Sequence, residues 1–201
     1  MDDPATPSDD ELAIASGLRA GRPDAWARLH DRYYEWVWRV VARLLGGCES
    51  AVADVVQETF LAAARSARSF DPARGPLVAW LWGVARTQAL RHRRDSARRA
   101  RGRENYPHGW DDPARGPLDE VLLRESADLV RSTLLELPEG YGRVLTARYL
   151  LDESLDDIAV AERISPAAAR SKLARAREAF RASFRRREPA EPQEAPHDPR
   201  V

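Results

Sequence analysis

The chain has 201 residues, with 32 basic and 32 acidic side chains, a formal net charge of zero, 43% hydrophobic and 32% charged residues. That length allows one or two domains, and the composition can bury a core, which excludes wholesale disorder. A single cysteine, Cys48, excludes an internal disulfide framework and fits a reducing compartment, while the zero net charge reads at first as evidence against a nucleic-acid binder.

The start is acidic, with Asp2, Asp3, Asp9, Asp10 and Glu11, and carries neither the basic nor the apolar stretch of a secretory signal. Residues 1–22 are expected to be a flexible N-terminus. Pro23 and Asp24 then open a helix whose apolar positions, Trp26, Leu29, Tyr33, Val37, Val40, Val41 and Leu44, follow the three-and-four spacing up to Gly46 and Gly47. The longest apolar stretch, Trp36 to Leu45, is broken by Arg39 and Arg43, so no membrane span is expected. A second helix is predicted over about 51–68, with Val52, Val55, Val56, Phe60, Ala63 and Ala67 on one side. The turn from Phe70 to Pro76 holds two prolines and a glycine and cannot continue it. A third helix starts near Leu77 with Trp80, Leu81 and Val84 as its inward stripe, then becomes a basic rod from Arg91.

From Gly102 to Pro117 glycines, prolines and acids show no period, which predicts a flexible linker. Three helices are expected beyond it, over 121–137, 141–150 and 155–164. Ser165 and Pro166 then cap and open a final helix over 167–185. The tail from Glu188 carries four prolines and is expected to be disordered. The fold class predicted is all-α: two small helical domains joined by a flexible linker, the second ending in a helix-turn-helix.

Charge order overturns the first impression from net charge. Seven arginines between Arg91 and Arg103 face only Asp95, and nine cations between Arg163 and Arg187 face only Glu178. Neutrality is the sum of opposed blocks, and two local basic surfaces remain. The last two helices have the helix-turn-helix pattern, in which the second helix enters the major groove. Ala169, Leu173, Ala176 and Phe180 form its inward stripe, leaving Arg170, Ser171, Ala174, Arg175 and Glu178 facing outward. Arginine pairs bidentately with guanine or holds phosphate, and small residues permit close approach. The second helix instead presents Asp54, Gln57, Glu58, Leu61 and Arg65, an acidic stripe around an exposed leucine that suits a protein partner rather than DNA. A solvated face would read identically. No glycine-rich phosphate loop, HExxH or CxxC is present, and the four histidines lack metal-ligand spacing, so no enzyme active site, metal or cofactor is expected.

Taken in order, the residues resemble the extracytoplasmic-function group of bacterial sigma factors, over about 24–184. The carriers are Asp24-Ala25-Trp26 with Leu29 and Tyr33, Asp54-Val55-Val56-Gln57-Glu58-Thr59-Phe60, Phe70-Asp71-Pro72, Trp80-Leu81 and Ala85-Arg86. In the second half they are Leu137-Pro138-Glu139, Arg148-Tyr149, Asp157-Ile158-Ala159, Ser165, and the run from Arg170 to Arg177. The resemblance implies a cytoplasmic initiation factor, with core RNA polymerase, promoter DNA and an anti-sigma factor as partners.

It also implies the site residues. Asp54, Gln57, Glu58 and Leu61 would dock on the polymerase clamp. Arg74, Trp82, Arg86, Thr87, Arg91, Arg93 and Arg94 would capture and melt the minus-10 element, and Ser165, Arg170, Ser171, Lys172, Ala174 and Arg175 would bind the minus-35 element. The implied organisation is a second-region domain at 23–101, a linker at 102–118, a fourth-region domain at 119–187 and a disordered tail at 188–201. Thr87 and Arg91 stand where the family commonly has asparagine and aspartate. Glu162 and Arg163 replace a leucine and the turn glycine, and Ala167-Ala168-Ala169 replaces a typical Gly-Thr-Val, so the final helix is expected to be pinned less firmly. The rival reading is a dimeric helix-turn-helix regulator that needs no polymerase.

Overall fold

The computed structural model describes residues 8–46, 49–104 and 118–187, and among them every regular element is helical. The linker residues 105–117, the tail 188–201 and residues 1–7 lie outside the described residues.

The first helix, α1 (Asp9–Arg19), corrects the expectation of a flexible start. Ser8 accepts a hydrogen bond from the Glu11 amide at 3.3 Å, and Asp9, Asp10 and Glu11 sit in the first turn, where acid favours the helix dipole. Ile14 and Leu18, one turn apart, are too few to show a period in the sequence, yet both are fully buried. Close approach makes this possible: a Cβ on Gly17 would lie 2.4 Å from that of Ala25 in α2 (Pro23–Leu45).

The long amphipathic α2 ends at Gly46, whose left-handed backbone (φ 60°) lets its amide bond to the Ala42 carbonyl at 2.9 Å. Helix α3 (Glu49–Ser66) runs into a short 3-10 turn, and α4 (Leu77–Glu104) follows the loop. Helix α4 therefore takes in residues 102–104, which the sequence reading placed in the linker. One apolar cluster joins Val37, Val40, Val41 and Leu44 to Val52, Val55, Val56 and Ala85; another joins α1 to Leu29, Ala63, Phe70, Leu77 and Leu81.

The second half contains α5 (Leu118–Glu136), α6 (Glu139–Leu150), α7 (Leu155–Glu162) and α8 (Pro166–Arg185). Its core is Leu134, Leu137, Val144, Leu145, Ile158, Leu173 and Ala176. Helix α7 is short but doubly capped, because Ser154 accepts from the Asp157 amide while the Asp157 carboxylate accepts from the Ser154 amide. The two halves pack directly, and Leu135 of α5 lies in the same buried cluster as Trp82 of α4.

Candidate nucleic-acid interface

The outer face of α8 is open. Arg170, Ser171, Ala174 and Arg175 are all exposed, while Ala169, Leu173 and Ala176 are buried beneath them. Ser165 is exposed as well, and its hydroxyl accepts from the Ala168 amide at 3.2 Å, which fixes where the helix begins. Arg177 lies beside this face, donating to the Tyr149 hydroxyl at 2.6 Å with its guanidinium over the ring. Two exposed guanidinium groups, Arg170 and Arg175, the latter with Nε donating to the Ser171 carbonyl at 3.4 Å, flank a serine and an alanine and so present donors at the edge and room at the centre, an arrangement that suits groove contact.

Lys172 is corrected. Its ammonium turns inward to the carboxylate of Glu162, which also takes a bidentate pair from Arg143, with Nη2 to Oε2 at 2.6 Å. The Glu162 side chain is only 5% exposed. Burial pushes its carboxyl up, but the hydrogen bonds and charges of Arg143 and Lys172 outweigh burial and hold it below the usual carboxylate range. One carboxylate thus ties α6, α7 and α8 together. The final helix, expected to be pinned less firmly, is held at this point by an ion triad.

Along α4 the arginines divide. Arg91, Arg94 and Thr87 are exposed, the Thr87 hydroxyl being spent on the Gly83 carbonyl at 2.8 Å. Arg74, in the loop before the helix, is exposed too. Arg86 and Arg93 are engaged with α5 and the turn after it. Arg86 donates to the Leu135 and Leu137 carbonyls at 2.6 and 3.2 Å, and Arg93 pairs with Asp128 at 3.7 Å. Trp82 is corrected outright, because it is fully buried in the core it shares with Leu135. A Cβ on Gly142 of α6 would stand 2.8 Å from its ring, so a glycine makes room for it. Trp80 is half-buried, its ring 5.2 Å from that of Phe70.

On α3, Asp54, Gln57, Glu58 and Leu61 are exposed in one stripe, with Thr59 buried behind them and bonded to the Val55 carbonyl. The sequence reading missed the aromatic row beside it. His30, Tyr34 and Trp38, four residues apart on α2, run along Phe60, with His30 and Tyr34 ring centroids 5.0 and 6.2 Å from that of Phe60. Tyr34 and Leu61 are about equally exposed, at 41% and 40%. The spacing of the three rings was the available signal, masked by the stronger inward stripe of the same helix. Among the described residues no group of His, Cys, Asp and Glu is placed to hold a metal, and no helix is long and apolar enough to cross a membrane.

Two family models match the chain: Sigma-70 region 2 over residues 29–99 and Sigma-70, region 4 over residues 127–180. The ECF RNA polymerase sigma-E factor of Haemophilus influenzae is 30% identical over 176 residues, covering 84% of this chain and 92% of that protein. RNA polymerase sigma factor CnrH of Cupriavidus metallidurans is 30% identical over 182 residues, covering 85% and 92%. The structure of CnrH in complex with the cytosolic domain of CnrY matches with a TM-score of 0.45 at 24% identity, over 89% of this chain and 99% of that one.

Proposed function

The chain belongs to the ECF RNA polymerase sigma factors, and we propose that three of its helices divide polymerase docking and promoter reading between them. As a sigma factor it binds core RNA polymerase and directs promoter-specific transcription initiation. The division proposed assigns residues 23–101 to polymerase and the minus-10 element, and residues 119–187 to the minus-35 element.

Docking falls to Asp54, Gln57, Glu58 and Leu61 of α3, with Tyr34 and Phe60 extending the apolar part of that face. Acid on this side repels DNA and suits a basic protein surface. Arg74, Arg91 and Arg94 are the exposed cations that would track the minus-10 backbone, and melting would be driven by capture of unpaired bases, each stacked base contributing ~1 to 3 kcal/mol. Arg170, Ser171, Ala174 and Arg175 would read the minus-35 duplex, with Ser165 setting the helix start and Lys172 acting through Glu162. The factor would work in the cytoplasm, without cofactor or covalent chemistry of its own, and an anti-sigma protein is its expected antagonist.

The observation that carries this reading is the separation of charge: one exposed basic face in each matched region, and an acidic-aromatic face between α2 and α3. Footprinting tests it. An asymmetric, bipartite footprint that appears only with core polymerase is expected; a palindromic footprint made by the free protein as a dimer would overturn it.

A further inference from the structure

The open face of α8 extends beyond the residues assigned to the minus-35 element. At 100° per residue Arg170, Ala174 and Arg177 fall on one line along the helix, at offsets of four and three, and all three are exposed. In a helix-turn-helix the first turns of the second helix reach the base edges. Arg177 lies seven residues beyond Arg170, about 10.5 Å along the axis, against a major groove roughly 12 Å wide. A helix whose start enters the groove therefore sets Arg177 at the rim, where the phosphates run.

A side chain from another helix holds Arg177 in place. Its Nε donates to the Tyr149 hydroxyl of α6 at 2.6 Å, and its guanidinium carbon lies 5.6 Å from the ring centroid. Arg175, by contrast, bonds to a carbonyl of its own helix. The Tyr149 ring is 52% exposed, so it is a support on the surface rather than part of the core. Arg148, the residue before it, has a different task and donates to the Glu153 carbonyl at 2.9 Å across the turn into α7. The support is also neutral. Carboxylates engage Lys172 and Arg93, whereas a phenol leaves the guanidinium its full charge. Because Nε is the atom used, both terminal nitrogens keep their four N–H donors for an oxyanion. A phosphate can accept two such donors side by side from one guanidinium.

We propose that Arg177 grips a backbone phosphate of the minus-35 duplex and that Tyr149 is its positioning residue, holding the guanidinium ready before DNA arrives. The proposal rests on the reading of α8 as the minus-35 helix, and it adds a contact that sets the register of that helix without reading a base. A long flexible side chain loses rotamer freedom when it binds. One already held by a phenol loses less.

The test uses the full chain reconstituted with core polymerase, and labelled duplexes carrying several promoters recovered by start-site sequencing, with affinity measured across a salt series. Arg177→Ala should weaken binding to all of them by a common factor of roughly five, and lower the slope of log affinity against log salt by about 1. Tyr149→Phe keeps the ring and the arginine's charge and removes only the hydroxyl. It should weaken binding about two- to threefold with the slope unchanged, and cost nothing more once Arg177 is already alanine. A pair that merely staples α6 to α8 would lower the melting temperature of both variants and leave affinity where it was. That result would overturn the proposal, as would a Tyr149→Phe loss that persists beside Arg177→Ala. An Arg177→Ala loss that differs from promoter to promoter would also overturn it, because such a loss marks a base reader. Arg175→Ala judges the reading of α8 separately. If it binds these duplexes as the parent does, α8 is not the minus-35 helix; if it weakens them while Arg177→Ala does not, only the phosphate grip fails.

Discussion

The two arginine-rich helices, α4 and α8, look alike in the sequence and differ in what the fold leaves available. On α8 the outward arginines face solvent above an unbroken apolar stripe, and the one lysine is withdrawn into the Glu162 triad. On α4 the cations are split lengthwise, with Arg91 and Arg94 exposed while Arg86 and Arg93 bond to the other half. Charge density therefore does not report charge availability. What decides it is which carbonyls and carboxylates the tertiary fold brings within reach.

The contrast breaks hardest at Trp82. If it is core rather than a DNA contact, Trp82→Ala should cost about 3 to 5 kcal/mol in denaturant unfolding. A stable variant defective only in DNA binding would restore the reading that the structure corrects. Glu162→Ala comes next, at about 3 kcal/mol, because it strands the buried Arg143 and the partly buried Lys172 without their counter-charge.

Glu162 also gives that domain a signature in pH. Its carboxyl is held low in the folded state, so its contribution is complete above the ordinary value of 4.5 and is lost as pH falls below that. The stability gap between the parent and Glu162→Gln should narrow across that acid range. A gap that stays constant would contradict the triad. Glu153 works in the opposite sense, since burial pushes its carboxyl up against the Trp36 hydrogen bond and the Arg39 charge. It should therefore be relieved by protonation at a pH above that range.

Smaller effects sharpen the difference between the two arginine groups. Arg175→Ala should weaken minus-35 duplex binding by about 1 to 3 kcal/mol at fixed salt, and Arg86→Ala should leave it unchanged. Equal losses in the two variants would erase the distinction. Ser165→Ala removes the cap of α8 and should cost about 1 kcal/mol of stability, read by thermal unfolding.

Most of the helical architecture was legible because α2, α3 and α8 carry long apolar periods with clear boundaries: stops at Gly46 and the Phe70–Pro76 loop, and a start at Pro166. Helix α1 was not, since only two of its three large apolar residues, Ile14 and Leu18, share the buried face and its burial depends on the glycine contact with α2. The exposed stripe on α3 and the outer face of α8 followed from helical geometry alone. Trp82, Arg86 and Lys172 were misplaced for a common reason. Each lies near the boundary of its helix's outward face, where the period leaves the direction open and a distant partner, Leu135, the turn after α5, or Glu162, settles it.

The central claim is that this chain directs polymerase to promoters through two separate basic faces. Run-off transcription from a genomic template library with purified core polymerase, followed by sequencing of the start sites, tests it most directly. The account predicts core-dependent transcripts whose start sites share two upstream sequence elements, with Arg175→Ala reducing selection at the distal one. Folded protein that yields no promoter-dependent transcript with core, or start sites lacking any shared upstream element, would contradict it.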